Sequence, residues 1–201
     1  MGILSQFSAN SNLKSGKKLV ESAIKARGQE ADRLFNQACS KFEEVVNSGA
    51  KVLEGLHNWG LALHSQAKTH EDAESEKLFN EAYTKYTAAL VIEPKNHEIL
   101  NDWGATMMDH ARNIGADPNH VLYQQAKEKF SAAEAIWPGI SAYNLACIAS
   151  LQNDLKSCEE HLNLAHSRGN LPPVEAMRND ADLANINQSE WFQEFIDSIP
   201  A

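Results

Sequence analysis

Histidine is the residue type with which this chain could most readily bind a metal ion. The chain has eight His among its 201 residues. His57 and His64 are two helical turns apart, about 10 Å along one helix, which is too far for both to bind one ion. His161 and His166 are five residues apart and do not share a helix face well. The spacing of the histidines therefore predicts no metal site.

Cysteine chemistry and the common catalytic motifs are equally unsupported. The odd count of Cys39, Cys147 and Cys158, with no C-x-x-C spacing, argues against both a disulfide framework and a zinc site. Three free, buried side chains are the expected arrangement. The chain contains no G-x-S-x-G, H-E-x-x-H, Walker or Rossmann motif. We therefore predict no catalytic residue, no cofactor and no enzyme activity.

Composition describes a folded, acidic protein of one domain or one short repeat array. Hydrophobic residues make up 43% of the chain, and the formal net charge is −9. This acidity disfavours nucleic acid as the main partner, because binding to phosphates is driven by clustered Lys and Arg. No stretch approaches the roughly 18 consecutive apolar residues of a membrane span, and the first residues do not form a signal peptide. A cytoplasmic protein without a membrane span is expected.

An internal repeat of 44 residues determines the predicted architecture. The residues that recur at this spacing are Leu56 and Leu100, Trp59-Gly60 and Trp103-Gly104, Ala82 and Ala126, Tyr86 and Phe130, Ala89 and Ala133, and Pro94 and Pro138. One further step towards the N-terminus reaches Gly16, Ala38 and Phe42, although Ser15 replaces the tryptophan. The first unit matches the other two in residue size.

Each unit has the pattern of two helices. Apolar residues follow helical spacing on both sides of a central break, and Pro94 and Pro138 end the second helices of their units. Small residues such as Gly60 and Gly104 occupy the points where two helix backbones approach closely. The predicted boundaries are a flexible segment 1–10, repeats at about 11–50, 51–94, 95–138 and 139–170, and a capping segment 171–201. The last segment includes an apolar helix face formed by Trp191, Phe192, Phe195 and Ile196.

These residues resemble the tetratricopeptide repeat family. Ala126, Phe130, Ala133 and Pro138 reproduce that family's second-helix pattern, in an extended form of the usual unit of about 34 residues. Sel1-like repeats are a rival, but their extra glycines between the helices are missing. The resemblance implies an all-α fold, in which antiparallel helix pairs form a right-handed superhelical stack, an α-solenoid, with a C-terminal capping helix.

The same resemblance implies that the first helix of each pair lines a concave groove that binds peptides. By position in the motif, the expected groove residues are Lys14, Lys17, Glu54, His57, Asn58, Leu61, His64, Glu98, Asn101, Asp102, Ala105, Met108, Asp109, Tyr143, Asn144 and Cys147. Asn58 and Asn144 occupy positions where the family often keeps an asparagine whose amide binds a peptide backbone. The alternative is that they are ordinary polar surface residues.

The charge of these positions predicts the class of ligand. The family's two-carboxylate clamp requires basic residues where this chain has Glu98 and Asp102, so an acidic C-terminus would be repelled. Four acids and no Lys or Arg at the groove positions of the two central repeats favour a neutral or basic segment. The four acids are Glu54, Glu98, Asp102 and Asp109. The alternative is that these acids serve only solubility.

The leading functional hypothesis is a non-enzymatic adaptor or scaffold that binds a protein or peptide in the groove. The alternatives are a self-associating structural module, which would form a homo-oligomer, and a regulatory subunit of an enzyme complex. The Trp-Gly extended repeats also resemble plant mitochondrial import receptors, but those carry a C-terminal anchor that is not present before Ala201. Lipidation of Met1-Gly2 is disfavoured, because residue 6 is Gln6 where Ser or Thr is required.

Overall fold

All regular secondary structure between residues 3 and 199, which the computed structural model describes, is helical. This confirms the all-α prediction, whereas the superhelical course of the stack stays a prediction. Met1-Gly2, considered above for lipidation, lies outside the described residues. The helices are α1 (Ile3–Lys25), α2 (Gln29–Asn47), α3 (Val52–Ala67), α4 (Ala73–Ile92), α5 (His97–Asn113), α6 (Val121–Ile136), α7 (Ala142–Leu151), α8 (Leu155–Ser167), α9 (Val174–Arg178) and α10 (Glu190–Asp197), with a 3-10 turn at Ala181–Leu183.

Consecutive helices form four packed pairs, α1 with α2, α3 with α4, α5 with α6 and α7 with α8. The first helices are also neighbours, because α1 contacts α3 and α3 contacts α5. Hydrogen bonds from Ser141 and Asn144 to Asn101 connect α7 to α5. We call the surface formed by α1, α3, α5 and α7 the first-helix face.

Three glycines fix the contact within the first three pairs. A Cβ on Gly60 would lie 2.6 Å from the Tyr86 ring, and one on Gly104 would lie 2.6 Å from the Phe130 ring. Gly16 stands in the same relation to Phe42, at 2.5 Å. These distances are far below van der Waals contact, so no larger residue fits without movement of the ring. Each glycine thus makes room for an aromatic ring of the second helix, whereas the predicted close approach of two helix backbones stays a prediction. Gly16 shows that the first pair has the same packing as the next two.

Helix α1 extends further towards the N-terminus than the sequence predicts. It begins at Ile3, whereas residues 1–10 are the predicted flexible segment. Ala9 is fully buried beside Leu13 and the α2 residues Ala38 and Phe42. This packing explains the extra turns of helix, because burial of an apolar stripe stabilises a helix that its polar sequence alone would not.

The C-terminal segment, residues 174–199, is part of the largest hydrophobic cluster of the described chain. Met177, Leu183, Phe192 and Ile196 are buried in it together with residues of α5 to α8. The ring of Phe195 also meets His166 of α8, with centroids 5.7 Å apart. The segment therefore belongs to the fold of the last two helix pairs.

Candidate functional site

Two His–Asp pairs join α3 to α5 on the first-helix face. His57 Nε2 lies 2.7 Å from an Asp102 carboxylate oxygen, and His64 Nε2 lies 2.8 Å from Asp109. Both pairs join residues that are 45 positions apart in the sequence, because His64 follows His57 by seven positions and Asp109 follows Asp102 by seven. Four of the predicted groove residues therefore bind one another, and the pairs hold adjacent repeats together.

Asp109 is the centre of a larger cluster of charges. Lys68 Nζ lies 2.8 Å from its carboxylate, and Arg112 contacts it from one turn further along α5. Burial raises the pKa of Asp109, but hydrogen bonds from His64 and Lys68 outweigh burial and hold the pKa well below its ordinary value. Asp109 is thus a carboxylate whose charge is already balanced by the protein.

The acids of the central repeats therefore offer a ligand less negative charge than their number suggests. Asp102 and Asp109 have cationic or histidine partners, and Glu54 lies 3.3 Å from Lys51. Glu98 is exposed at the start of α5. The prediction of a neutral or basic ligand stays untested. Of the four acids on which it was based, only Glu98 has no partner among those contacts.

The asparagines at the predicted peptide-binding positions make hydrogen bonds within the protein. Asn58 Nδ2 donates to the backbone oxygen of Glu54 at 2.7 Å. Asn101 Oδ1 accepts from Ser141 Oγ at 2.8 Å and from Asn144 Nδ2 at 3.2 Å. A peptide would have to compete for Asn144, whereas Asn58 keeps its amide oxygen as an acceptor.

The C-terminal segment covers part of the first-helix face at α5 and α7. Tyr143 donates a hydrogen bond of 2.6 Å to Asp180, and Arg112 contacts Asp182 through two guanidinium nitrogens. Met108 is only 1% exposed and Cys147 2% exposed. These two residues are predicted groove positions that are core residues instead, buried in the cluster that also contains Met177 and Leu183. Cys147 Sγ lies 3.9 Å from Asp180 of the C-terminal segment. Ala105 is half-buried on the same face.

Cys147, Asp180 and Asp182 bring possible metal ligands within 4.8 Å of one another. Their surroundings do not suit a cation. The Arg112 guanidinium already neutralises Asp182, and burial raises the pKa of the Cys147 thiol well above its usual value. A protonated thiol is a poor ligand, because metals bind the thiolate. The geometry is that of an ion pair between α5 and the C-terminal segment.

The open part of the first-helix face lies between α1 and α3. One cavity there, of about 270 Å³, is lined by Lys17, Val20, Glu21, Phe42, Asn58 and Leu61. A second, also of about 270 Å³, is lined by Ile24, Phe35, His64, Ser65, Lys68 and Thr69. We call the two cavities together the α1–α3 groove. Their surfaces are mainly apolar, although charged side chains, Lys17 and Glu21 in the first and Lys68 in the second, also line them.

The structure thus places Lys17, Asn58 and Leu61 at the first cavity and His64 at the second, while their role in binding a peptide stays a prediction. Lys14 is exposed and is not among the residues that line either cavity. The sequence reading missed the floor of the groove, Phe35 and Phe42, because these residues belong to the second helix of the first pair. The available signal was the 44-residue spacing, since Phe42 recurs with Tyr86 and Phe130, and Phe35 recurs two helical turns earlier with Phe79 and Tyr123.

The family comparison matches most of the chain. A family model described as "Plant specific mitochondrial import receptor subunit TOM20" matches residues 29–182, from the start of α2 to the 3-10 turn. Helix α1 lies before the matched region. No curated protein and no solved structure matches the chain. The wider relation to tetratricopeptide repeats stays a resemblance, since the matching family is the import receptor family.

This match overturns the expectation of a cytoplasmic protein, because the family consists of mitochondrial import receptor subunits. The expectation rested on a missing signal or anchor segment, and a missing segment does not identify a compartment. Among residues 3–199, no helix combines the length and the hydrophobicity that crossing a membrane requires.

A helical-repeat protein with an apolar groove on its first-helix face is consistent with a receptor that binds other proteins. The family match extends over four helix pairs except for α1 and covers far more than half of the residues. The chain belongs to the plant-specific TOM20 family of mitochondrial import receptor subunits.

Proposed function

We propose that the protein is a receptor subunit that binds the targeting segments of mitochondrial precursor proteins in the α1–α3 groove. The observation that carries the proposal is that this groove is the open, apolar part of the first-helix face, in a chain that matches an import receptor family. The sequence predicted an adaptor that binds a protein or peptide, and the proposal specifies that ligand as a targeting segment.

The chemistry of such segments suits the groove. Mitochondrial targeting peptides are amphipathic, rich in Arg and poor in acids. The apolar side of an amphipathic helix would contact Leu61, Ile24 and the rings on the floor of the two cavities. Glu21 lines the first cavity together with Lys17, and the exposed Glu54, which contacts Lys51, lies one helical turn before Asn58. These carboxylates would face the basic side of the peptide.

A role without catalysis is supported by the state of the thiols. Burial, with a further contribution from Glu81, raises the pKa of Cys39 to about 12, and burial raises that of Cys158 to about 12. A thiol with such a pKa is almost wholly protonated at neutral pH and is a weak nucleophile. The proposal therefore assigns the protein a binding role and no reaction.

Fluorescence anisotropy with a labelled synthetic peptide tests the proposal. The peptide has Leu on one helical face and Arg on the other, and a scrambled peptide of the same composition is the control for amphipathicity. We expect Leu61→Asp to weaken binding of the amphipathic peptide at least about tenfold, because it places a charge in the apolar cavity. Leu155→Asp, the same change at an exposed site on α8, is expected to have no effect.

The contrast between the variants decides the outcome. Equal binding by Leu61→Asp and the unchanged protein would place the ligand elsewhere and refute the groove as the site. Equal affinity for the scrambled peptide would show that amphipathic helices are not what the protein recognises. Circular dichroism melts of both variants confirm that a loss of binding is not a loss of folding.

A further inference from the structure

The N-terminal helix differs in charge from the rest of the molecule. Residues 1–28 carry a formal charge of +4, while residues 29–201 carry −13. Helix α1 accounts for most of this excess with Lys14, Lys17, Lys18 and Lys25 against the single acid Glu21. It is also the helix that precedes the region matched by the receptor family. The acidity of the whole chain thus conceals a basic end.

The lysines of α1 form an ordered stripe. At about 100° per residue, Phe7, Lys14, Lys18 and Lys25 fall within about 40° of one another around the helix. Buried residues such as Ala9 lie on the opposite side, against α2. The stripe is about 27 Å long. We call Phe7, Lys14, Lys18 and Lys25 the outer face of α1.

This face is exposed and its charges are unbalanced. The three lysines are exposed, and Phe7 is 76% exposed. Within residues 3–199, Lys14, Lys18 and Lys25 have no ion-pair partner, whereas Lys41 and Lys77 each pair with a Glu on their own helix. The α1–α3 groove lies on the flank of α1, where Lys17 and Ile24 line it. The outer face adjoins the groove at Glu21, which lies about 20° from Lys14 around the helix, but none of its four residues lines either cavity.

We infer that the outer face of α1 binds the surface of a bilayer that contains anionic lipids, with the three lysines at the headgroups and Phe7 inserted at the interface. A cationic helix face with an aromatic residue is the composition of peripheral membrane helices. Each Lys near an anionic surface strengthens binding about fivefold. The acidic repeats oppose binding only weakly, because charges beyond about 10 Å are screened at ordinary salt.

A lipid surface fits this face better than an acidic peptide does. The cationic side chains are all lysines, which act as point charges, and none is an arginine able to bind a carboxylate through two nitrogens. The stripe follows the convex surface of one helix, so it offers a peptide no cleft in which to bury its side chains. A flat array of phosphates can contact all three lysines and the ring of Phe7 at once.

Co-sedimentation of the full chain with vesicles tests this inference. Vesicles of equal parts phosphatidylcholine and phosphatidylglycerol are compared with vesicles of phosphatidylcholine alone, at about 0.1 M and about 0.5 M NaCl. The test variant is Lys14→Glu/Lys18→Glu/Lys25→Glu. The control variant, Lys77→Glu/Lys95→Glu/Lys156→Glu, changes the net charge equally at exposed lysines of other parts of the chain.

We expect binding to the anionic vesicles only, and a large loss of it at the higher salt concentration. The test variant should bind more than about 100-fold more weakly, while the control variant should lose only a few-fold. Phe7→Ser should cause an intermediate loss. Melting curves of both triple variants are the control that a loss of vesicle binding is not a loss of folding.

Three results would overturn the inference. The first is no binding of the unchanged protein to anionic vesicles, and the second is an equal loss in the two triple variants. The third is binding to a poly-glutamate peptide by the outer face without binding to vesicles, which would assign this face to an acidic protein. Each result is independent of peptide binding in the α1–α3 groove, so the proposed function is tested separately.

Discussion

The two ends of the first-helix face have the same repeat pattern but present different surfaces. Between α1 and α3 the face is open, with two apolar cavities. Between α5 and α7 the C-terminal segment covers it, and Arg112 and Tyr143 bind that segment through Asp182 and Asp180. The proposed ligand site therefore lies at the N-terminal end of the face, where no segment of the described chain covers the two cavities. Equivalent positions in a repeat become a binding surface or a core according to what packs over them.

The hydrophobic cores of the two ends also differ, because the C-terminal end has the larger one. The largest cluster surrounds α5 to α8 and the C-terminal segment, while the clusters of the first helix pair are small. In repeat proteins, stability is the sum of the units and their interfaces, so the two ends can open separately. The N-terminal end, which includes the groove and the outer face of α1, is expected to be the less stable one.

The largest effect is expected from removing the anchor of the C-terminal segment. Phe192 is fully buried in the large cluster, and Phe192→Ala should lower the free energy of unfolding by about 3–5 kcal/mol. Urea unfolding followed by tryptophan fluorescence measures the change. Phe7→Ala is the matched control at an exposed site and should change it by less than about 0.5 kcal/mol. A small loss in Phe192→Ala would show that the segment covers α7 only loosely.

A smaller effect is expected at the ion pair that closes the C-terminal end. Arg112→Ala leaves Asp182, which is 6% exposed, without its cationic partner, and should cost about 2 kcal/mol of unfolding free energy. Arg33→Ala removes an exposed pair with Glu30 and should cause no resolvable change in the same urea experiment, because solvent screens such pairs. Equal costs for the two variants would contradict the assignment of Arg112 as the bridge between α5 and the segment.

The smallest effect concerns how readily each end opens. At pH 8 the raised pKa of Cys39, about 12, makes direct alkylation of the folded protein slow, so labelling reports opening of the structure. We expect iodoacetamide to label Cys39 about tenfold faster than Cys147 or Cys158, as measured by mass spectrometry of peptides. The rate at Cys39 should rise up to about pH 8.5, the ordinary pKa of an exposed thiol, and level off above it, because the thiol reacts in the opened state. Identical rates at all three thiols would show that the ends open together.

The helical architecture could be predicted from the sequence because it depends on local spacing. The repeat of 44 residues located the helix pairs, and the glycines at 16, 60 and 104 located their contacts. The prediction was wrong for residues 3–10, where burial of Ala9 against α2 extends the helix. It was also wrong for the compartment, since the family match identifies an import receptor subunit.

The site was less predictable, because it depends on contacts between distant residues. The groove positions Lys17, Asn58 and Leu61 follow from the repeat, yet the cavity also requires Phe42 of α2. Met108 holds a groove position in the pattern but is buried in a cluster that also contains residues more than sixty positions later. The sequence does not show that Asp102 and Asp109 have partners, because His57, His64 and Lys68, which bind them in the structure, lie more than forty positions earlier.

The sequence by itself determined the helix pairs, their register and the separation of a basic helix from an acidic remainder. These properties are set by residue type and spacing along one chain, and helical periodicity converts them directly into faces. Only the tertiary structure decided which part of the first-helix face stays open. The reason is physical: exposure depends on whether a distant segment buries its own apolar residues against that face, and here residues 174–199 do so at α5 and α7 and leave α1 and α3 uncovered.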